Sequence, residues 1–208
     1  MIFSAMGIFL EIAVLFVFLP IIPLYAGIIP LRHRWTWWTA IFLLLLAIVR
    51  ERGYDLGALG IRTDNFFGAV VPYGVAAVFG IMVILALARS SKKRPARRWF
   101  KHPPFFVFSI AVGALQEFAY RGFLMPELAL AIPSIGIVIA INAALFSFAH
   151  VIYPNPKVTV PLTFFAGVGF AAIYAWYPNL ILAAALHAIL NFVATLYGFV
   201  SFAEVEGS

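Results

Sequence analysis

Seven apolar stretches, separated by short polar ones, occupy most of the chain: residues 4–30, 35–49, 66–88, 104–127, 132–152, 158–176 and 179–202. A helix needs roughly 20 mostly apolar residues to cross a bilayer, and backbone groups at that depth must bond within their own segment. The pattern therefore predicts an all-α fold, a polytopic transmembrane helical bundle of about seven spans. The connections are too short to hold a soluble domain, so residues 1–208 are expected to form a single integral-membrane domain. The first stretch lacks a basic leader and is expected to remain as the first span rather than being cleaved as a signal peptide.

Composition agrees with this. Of 208 residues 64% are hydrophobic and 11% charged, with a mean hydropathy of +1.04, against about 45 to 50% and about 25% in soluble domains. There is no cysteine, which excludes disulfides, cysteine-based metal sites and a thiol nucleophile. Charge sets the expected orientation. The run "RSSKKRPARRWFKH", residues 89–102, carries seven of the fourteen Lys and Arg residues, and the positive-inside rule makes it cytoplasmic. The N-terminus then lies outside, the C-terminus inside, and Arg32, Arg34 and Lys157 join the inner side. The run is read as a topology determinant on anionic lipid, with no nucleic-acid partner.

Two polar stretches are expected at the membrane interface. "RERGYDLGALGIRTDN", residues 50–65, reads as a short amphipathic segment. "RHRWTWW", residues 32–38, sets three tryptophans beside basic residues, as an aromatic belt does. Neither suggests chemistry.

The chemistry is expected inside the apolar stretches, where an ionisable residue costs about 2.5 to 3.5 kcal/mol on insertion scales. Glu11, Glu117, Arg121, Glu127, His150 and His187 fall there, with the amides Gln116, Asn142 and Asn191. Glu11 and Glu127 lack a spaced partner and read as structural or interfacial. Glu117 and Arg121 are four apart and suited to pairing on one helix face. His187 and Asn191 are also four apart, and His150 follows Phe146 by one turn. Three helices thus each carry a polar turn, and mutual satisfaction in lipid favours their convergence.

"QEFAYR" (Gln116 to Arg121), "FSFAH" (Phe146 to His150) and "HAILN" (His187 to Asn191), in this order on separate spans, resemble the CPBP family. These are the CAAX protease and bacteriocin-processing (Abi) intramembrane proteases, which include the type II CAAX prenyl endopeptidases. "LGALGIR", residues 56–62, is similar to a segment found upstream in the family, and the resemblance covers roughly residues 50–200. It implies an intramembrane protease acting on a hydrophobic or membrane-tethered peptide or protein, with no cofactor and no metal. The first Glu of a Glu-Glu pair and the Phe-x-x-x-His histidine would activate a water, and the last His and Asn would stabilise the oxyanion. That division of labour is chemically sound, since a carboxylate and an imidazole are general bases and N–H donors lower an oxyanion's energy.

This chain departs from the family at its most important position: Gln116 stands where the first Glu is expected. Gln116 could orient the water while His150 acts as base, Glu117 could take over, or the protein could be catalytically silent. Other readings use the same residues differently. One is a scaffold or bacteriocin-immunity protein, another a zinc site of Glu117, His150 and His187, and a third a small transporter. Small size suggests a bacterial or archaeal cytoplasmic membrane, where a prenylated client is a poor default. On the expected topology Gln116 falls mid-span, His150 near the cytoplasmic end of its helix and His187 in the outer half of its own, so tilted or broken helices are needed to bring them level.

Overall fold

A computed structural model describes residues 5–95, 103–153 and 155–199. Residues 96–102 of the basic run, the end of the last apolar stretch and the polar tail lie outside the described residues. Each apolar stretch carries a helix, and no strand occurs among the described residues. The helices are α1 (Ala5–Ala13), α2 (Ile22–Tyr25), α3 (Arg34–Glu51), α4 (Phe66–Ser90), α5 (Pro103–Glu117), α6 (Met125–Ala131), α7 (Ile135–Phe148), α8 (Pro156–Trp176) and α9 (Leu180–Leu196). Among the described residues three segments are long and apolar enough to cross a membrane, Ala5–Tyr25, Phe66–Ser90 and Pro156–Trp176, and α7 and α9 are shorter apolar helices. On α4, Phe67, Val71, Val75 and Phe79 are all exposed. Their four-residue spacing makes an apolar stripe suited to lipid rather than water.

Two stretches widen to π-helix, Val14–Phe18 after α1 and Phe118–Leu124 between α5 and α6. Such i→i+5 turns are rare and concentrate at functional sites.

The chain divides into two compact units. The first comprises Met1–Leu59 and Ala119–Pro178, the second Gly60–Phe118 and Asn179–Ser208. In the first, α7 packs along α8, and α1 and α7 both contact α6. The α7–α8 approach is close because Gly167 lacks a side chain: a Cβ there would lie 3.2 Å from Ala143 Cα and 3.2 Å from the Phe146 ring. The two π segments meet through Phe16, whose ring contacts Tyr120 edge-on at 5.3 Å and stacks with Phe123 at 6.4 Å. Trp37 and Trp38 donate to the carbonyls of Leu19 and Pro20, at 2.8 and 3.0 Å. The Leu19 carbonyl lacks its usual helical donor because the residue four places on is Pro23. These tryptophans therefore cap a proline-broken span end.

In the second unit α9 packs against both α4 and α5. Asn179 caps α9, its Oδ1 accepting from Leu182 N at 3.0 Å, while its Nδ2 donates to the Arg62 carbonyl and to Asn65 Oδ1. The opposite ends of α4 and α9 also meet, where Lys93 donates to the Gly198 carbonyl and lies over the Phe199 ring at 4.3 Å.

The 52–65 stretch forms turns instead of a continuous amphipathic helix. Gly53 and Gly60 take φ of +67° and +76°, a left-handed conformation that interrupts helix and that glycine adopts without steric cost. Leu59 points inward, 3% exposed, and its carbonyl accepts from Tyr174 Oη at 3.1 Å.

Candidate active site

The "QEFAYR" motif straddles the change from α5 to the π segment. Because the turn widens there, the 3.6-residue spacing assumed for Gln116 to Arg121 does not carry through the motif. The motif also straddles the two units: Gln116 and Glu117 belong to the second and Arg121 to the first.

In the second unit Glu117 is fully buried, and its Oε1 lies 2.6 Å from His187 Nδ1. His187, on α9, is itself buried. The two can meet because Gly113, one turn before Glu117, lets α9 approach; a Cβ there would lie 3.1 Å from Ala188 N and 3.4 Å from His187 Cβ. A carboxylate only accepts, so Nδ1 is fixed as the protonated nitrogen. Nε2 is thereby oriented to exchange or share a proton with a bound group. Asn191, one turn further along α9, and Gln116 are half-buried, and their side-chain amides make no hydrogen bond among the described residues.

In the first unit Arg121 is fully buried. Its guanidinium carbon sits 4.8 Å from the centre of the Phe146 ring and 5.3 Å from that of Phe170, and one nitrogen donates to the Gly167 carbonyl at 3.2 Å. Cation–π contact is worth more where water is excluded. Asn142, also fully buried, donates to the Tyr120 carbonyl at 2.6 Å and so braces the π segment from α7.

His150 lies just past the end of α7, and its Nδ1 is 2.8 Å from the Phe146 carbonyl. A carbonyl only accepts, so Nδ1 carries the proton and the basic lone pair sits on Nε2. The His150 ring contacts Phe146 at 4.9 Å and stacks with Tyr153 at 5.5 Å. Among the described residues no group of three or more His, Asp or Glu side chains could hold a metal ion.

Glu11 and Glu127 do have a partner. Arg52, at the end of α3, reaches both, at 2.5 Å each, and Tyr54 donates to the same Glu127 oxygen. Burial works to lower the Arg52 pKa, but its hydrogen bonds to the Glu127 and Glu11 carboxylates prevail and raise it. Burial first, then the Glu127 carboxylate, pushes the Tyr54 phenol up to about 12. The partners are 41 and 75 residues away in sequence, so no local spacing reveals the network. The signal available was the burial cost of each carboxylate, which demands a cation somewhere.

No curated protein and no solved structure matches the chain. All three motifs fall within a family match over residues 98–193, and the upstream "LGALGIR" lies outside it. Residues 98–193 match the family model described as Rce1-like, type II CAAX prenyl endopeptidase, so this stretch is similar to that family.

Proposed function

We propose that the protein is an intramembrane endopeptidase that cleaves a membrane-associated peptide or C-terminal segment. The family implies proteolysis in general, and the observation that carries the reading for this chain is the buried Glu117–His187 couple. It resembles in its logic the carboxylate that orients a catalytic imidazole in hydrolases. Glu117 therefore serves as the orienting group rather than the base, since one of its oxygens is already committed to His187. His150, with its lone pair on Nε2, is the base that takes a proton from water. Gln116 supplies an amide that orients the water but accepts no proton. Asn191 donates to the oxyanion, joined by His187 where both of its ring nitrogens carry protons, each such donor being worth about 3 to 4 kcal/mol. Arg121 holds the π segment in place between two rings.

The proposed topology has seven spans, an outer N-terminus and a cytoplasmic basic run 89–102. Contacts inside each unit support it. Arg52 after α3 meets Glu127 on α6, while Arg34, which opens α3, meets Tyr153 after α7. Asn179 meets Asn65 at one end of α4 and α9, and Lys93 meets Phe199 at the other. Strict alternation of spans requires each of these pairs to share a membrane side.

Gln116 favours a second reading, a catalytically silent member of the fold that binds the same peptides or confers bacteriocin immunity. Peptide cleavage followed by mass spectrometry on hydrophobic membrane-tethered peptides separates the two. Cleavage by the parent that is lost in His150→Ala supports the enzyme. Cleavage that arises only in Gln116→Glu supports the silent protein.

A further inference from the structure

Arg34 opens α3 and is only 8% exposed. Its guanidinium carbon lies 5.5 Å from the centre of the Trp35 ring and 6.0 Å from that of Tyr153, the same Tyr153 that stacks on His150. Its Nε is buried with no hydrogen-bond partner, and Arg34 forms no ion pair among the described residues. Nor is there a carboxylate nearby in its own unit. The described acids of that unit are Glu11, Glu51, Asp55 and Glu127. Glu51 and Asp55 flank Arg52, and Glu11 and Glu127 are bound to it. Arg52 lies at the far end of α3, about 27 Å away at 1.5 Å per residue.

A buried cation without a counter-charge is costly, and two aromatic faces offset only part of that cost. Two further features favour an anion here. The first turn of α3 has no side-chain cap; the Arg34 N–H is bonded to the Leu31 carbonyl, and the positive end of the helix dipole adds to the guanidinium. The neighbouring charge is also basic, Arg32, bonded to His33.

We propose that Arg34 and the start of α3 form a binding site for an oxyanion, the carboxylate of a bound peptide, one aromatic ring away from His150. A guanidinium binds a carboxylate through two parallel N–H donors. The site's relevance to catalysis rests on the protease reading, whereas its existence does not.

The test is thermal unfolding of the full chain in neutral maltoside micelles. Sodium acetate and inorganic phosphate are titrated against sodium chloride at equal ionic strength. The parent should gain a Tm increase on the order of 3 °C over chloride. Arg34→Gln should lose it, and Arg34→Lys, which keeps the charge without the fork, should retain part. No response in the parent, or an equal one in Arg34→Gln, overturns the site. If Arg34→Gln does not fold, the parent and Arg34→Lys carry the comparison, and equal responses in these two overturn it. The source is read from a hydrophobic peptide with a free C-terminal carboxylate, its C-terminal amide, and phosphatidylglycerol. An Arg34-dependent preference for the free acid over the amide supports a peptide carboxylate, and a response to phosphatidylglycerol alone overturns it in favour of a lipid phosphate. Because binding is read without cleavage, a silent protein still passes the test. Cleavage without any anion response sinks the site and leaves the protease reading standing.

Discussion

Replacing Arg52 by Gln should destabilise the first unit far more than removal of a surface charge. The Glu127 side chain is 3% exposed, against 20% for Arg52 and 23% for Glu11. Loss of the cation leaves a nearly dry carboxylate unpaired, which costs about 3 to 5 kcal/mol. The Glu11 pair is wetter and adds only about 0 to 1 kcal/mol. Tyr54 still donates to Glu127, so the lower end, about 3 kcal/mol, is expected. At about 2 to 4 °C per kcal/mol for a chain of this length, Tm should fall by roughly 6 to 12 °C in a fixed detergent. The sign of the double variant is more telling. Arg52→Gln with Glu127→Gln puts two neutral amides where one buried charge stood, and should recover part of the loss through a coupling of about 0.5 to 3 kcal/mol. The reasoning fails if Arg52→Gln unfolds within about 1 kcal/mol of the parent, or if the double variant is less stable than the single one.

Gly113→Ala places a methyl group 3.1 Å from Ala188 N; overpacking of this kind costs about 1 to 3 kcal/mol, and cleavage should drop further than stability because His187 moves with its backbone. Unchanged cleavage rates on the membrane-tethered panel would contradict that. Arg121→Lys keeps the charge but loses the planar stack on Phe146 and Phe170, so chemical denaturation should show a loss of about 1 to 3 kcal/mol, whereas an exposed Arg such as Arg50 should change by less than about 0.5 kcal/mol. Tyr54 gives a pH dependence. Its phenol is raised to about 12 in the folded chain from 10.0, so the folded state holds the proton more tightly. The stabilisation is complete below pH 10 and declines as pH rises through about 12. Tyr54→Phe should flatten that part of the stability profile, and an unchanged slope would remove the assignment.

The helices were legible in the sequence because lipid demands long apolar runs with internally bonded backbones, and each of the seven stretches does carry a helix. The polar turns were legible for the same reason, since Glu117 and His187 are costly alone and are found bonded to each other. What periodicity could not supply was the register of the first motif. The 3.6-residue template has no means of signalling a π segment from Phe118 to Leu124, which depends on tertiary support such as the Asn142 amide on the Tyr120 carbonyl. Partners far apart in sequence were equally out of reach. Arg52 sits in a stretch that reads as interfacial, and only the folded chain joins it to Glu11 and Glu127. Arg34 was hidden by its company: beside Arg32 and three tryptophans it reads as a headgroup anchor, yet it is buried.

The substitution at Gln116 gains meaning from what surrounds it. If the loss of a carboxylate there simply inactivated the protein, the remaining polar residues would keep only their structural worth. Arg121 has such worth, stacked between two rings and bonded to Gly167. Glu117 and His187 satisfy each other, and a purely structural role would be served as well by an apolar pair of similar volume, since buried ion pairs rarely outperform such replacements. His150 is different again. It sits beyond the helix end, partly exposed, with Nδ1 tied to a backbone carbonyl so that the basic nitrogen faces away from that bond. A histidine kept only for packing has no need of a fixed tautomer. Its oriented lone pair is therefore the feature by which the active and the silent readings differ most, and His150→Gln separates them. That variant keeps side-chain hydrogen bonding but cannot take a proton, so an enzyme should lose its cleavage rate while retaining peptide affinity, whereas a silent binder should show no cleavage with either side chain and keep its affinity.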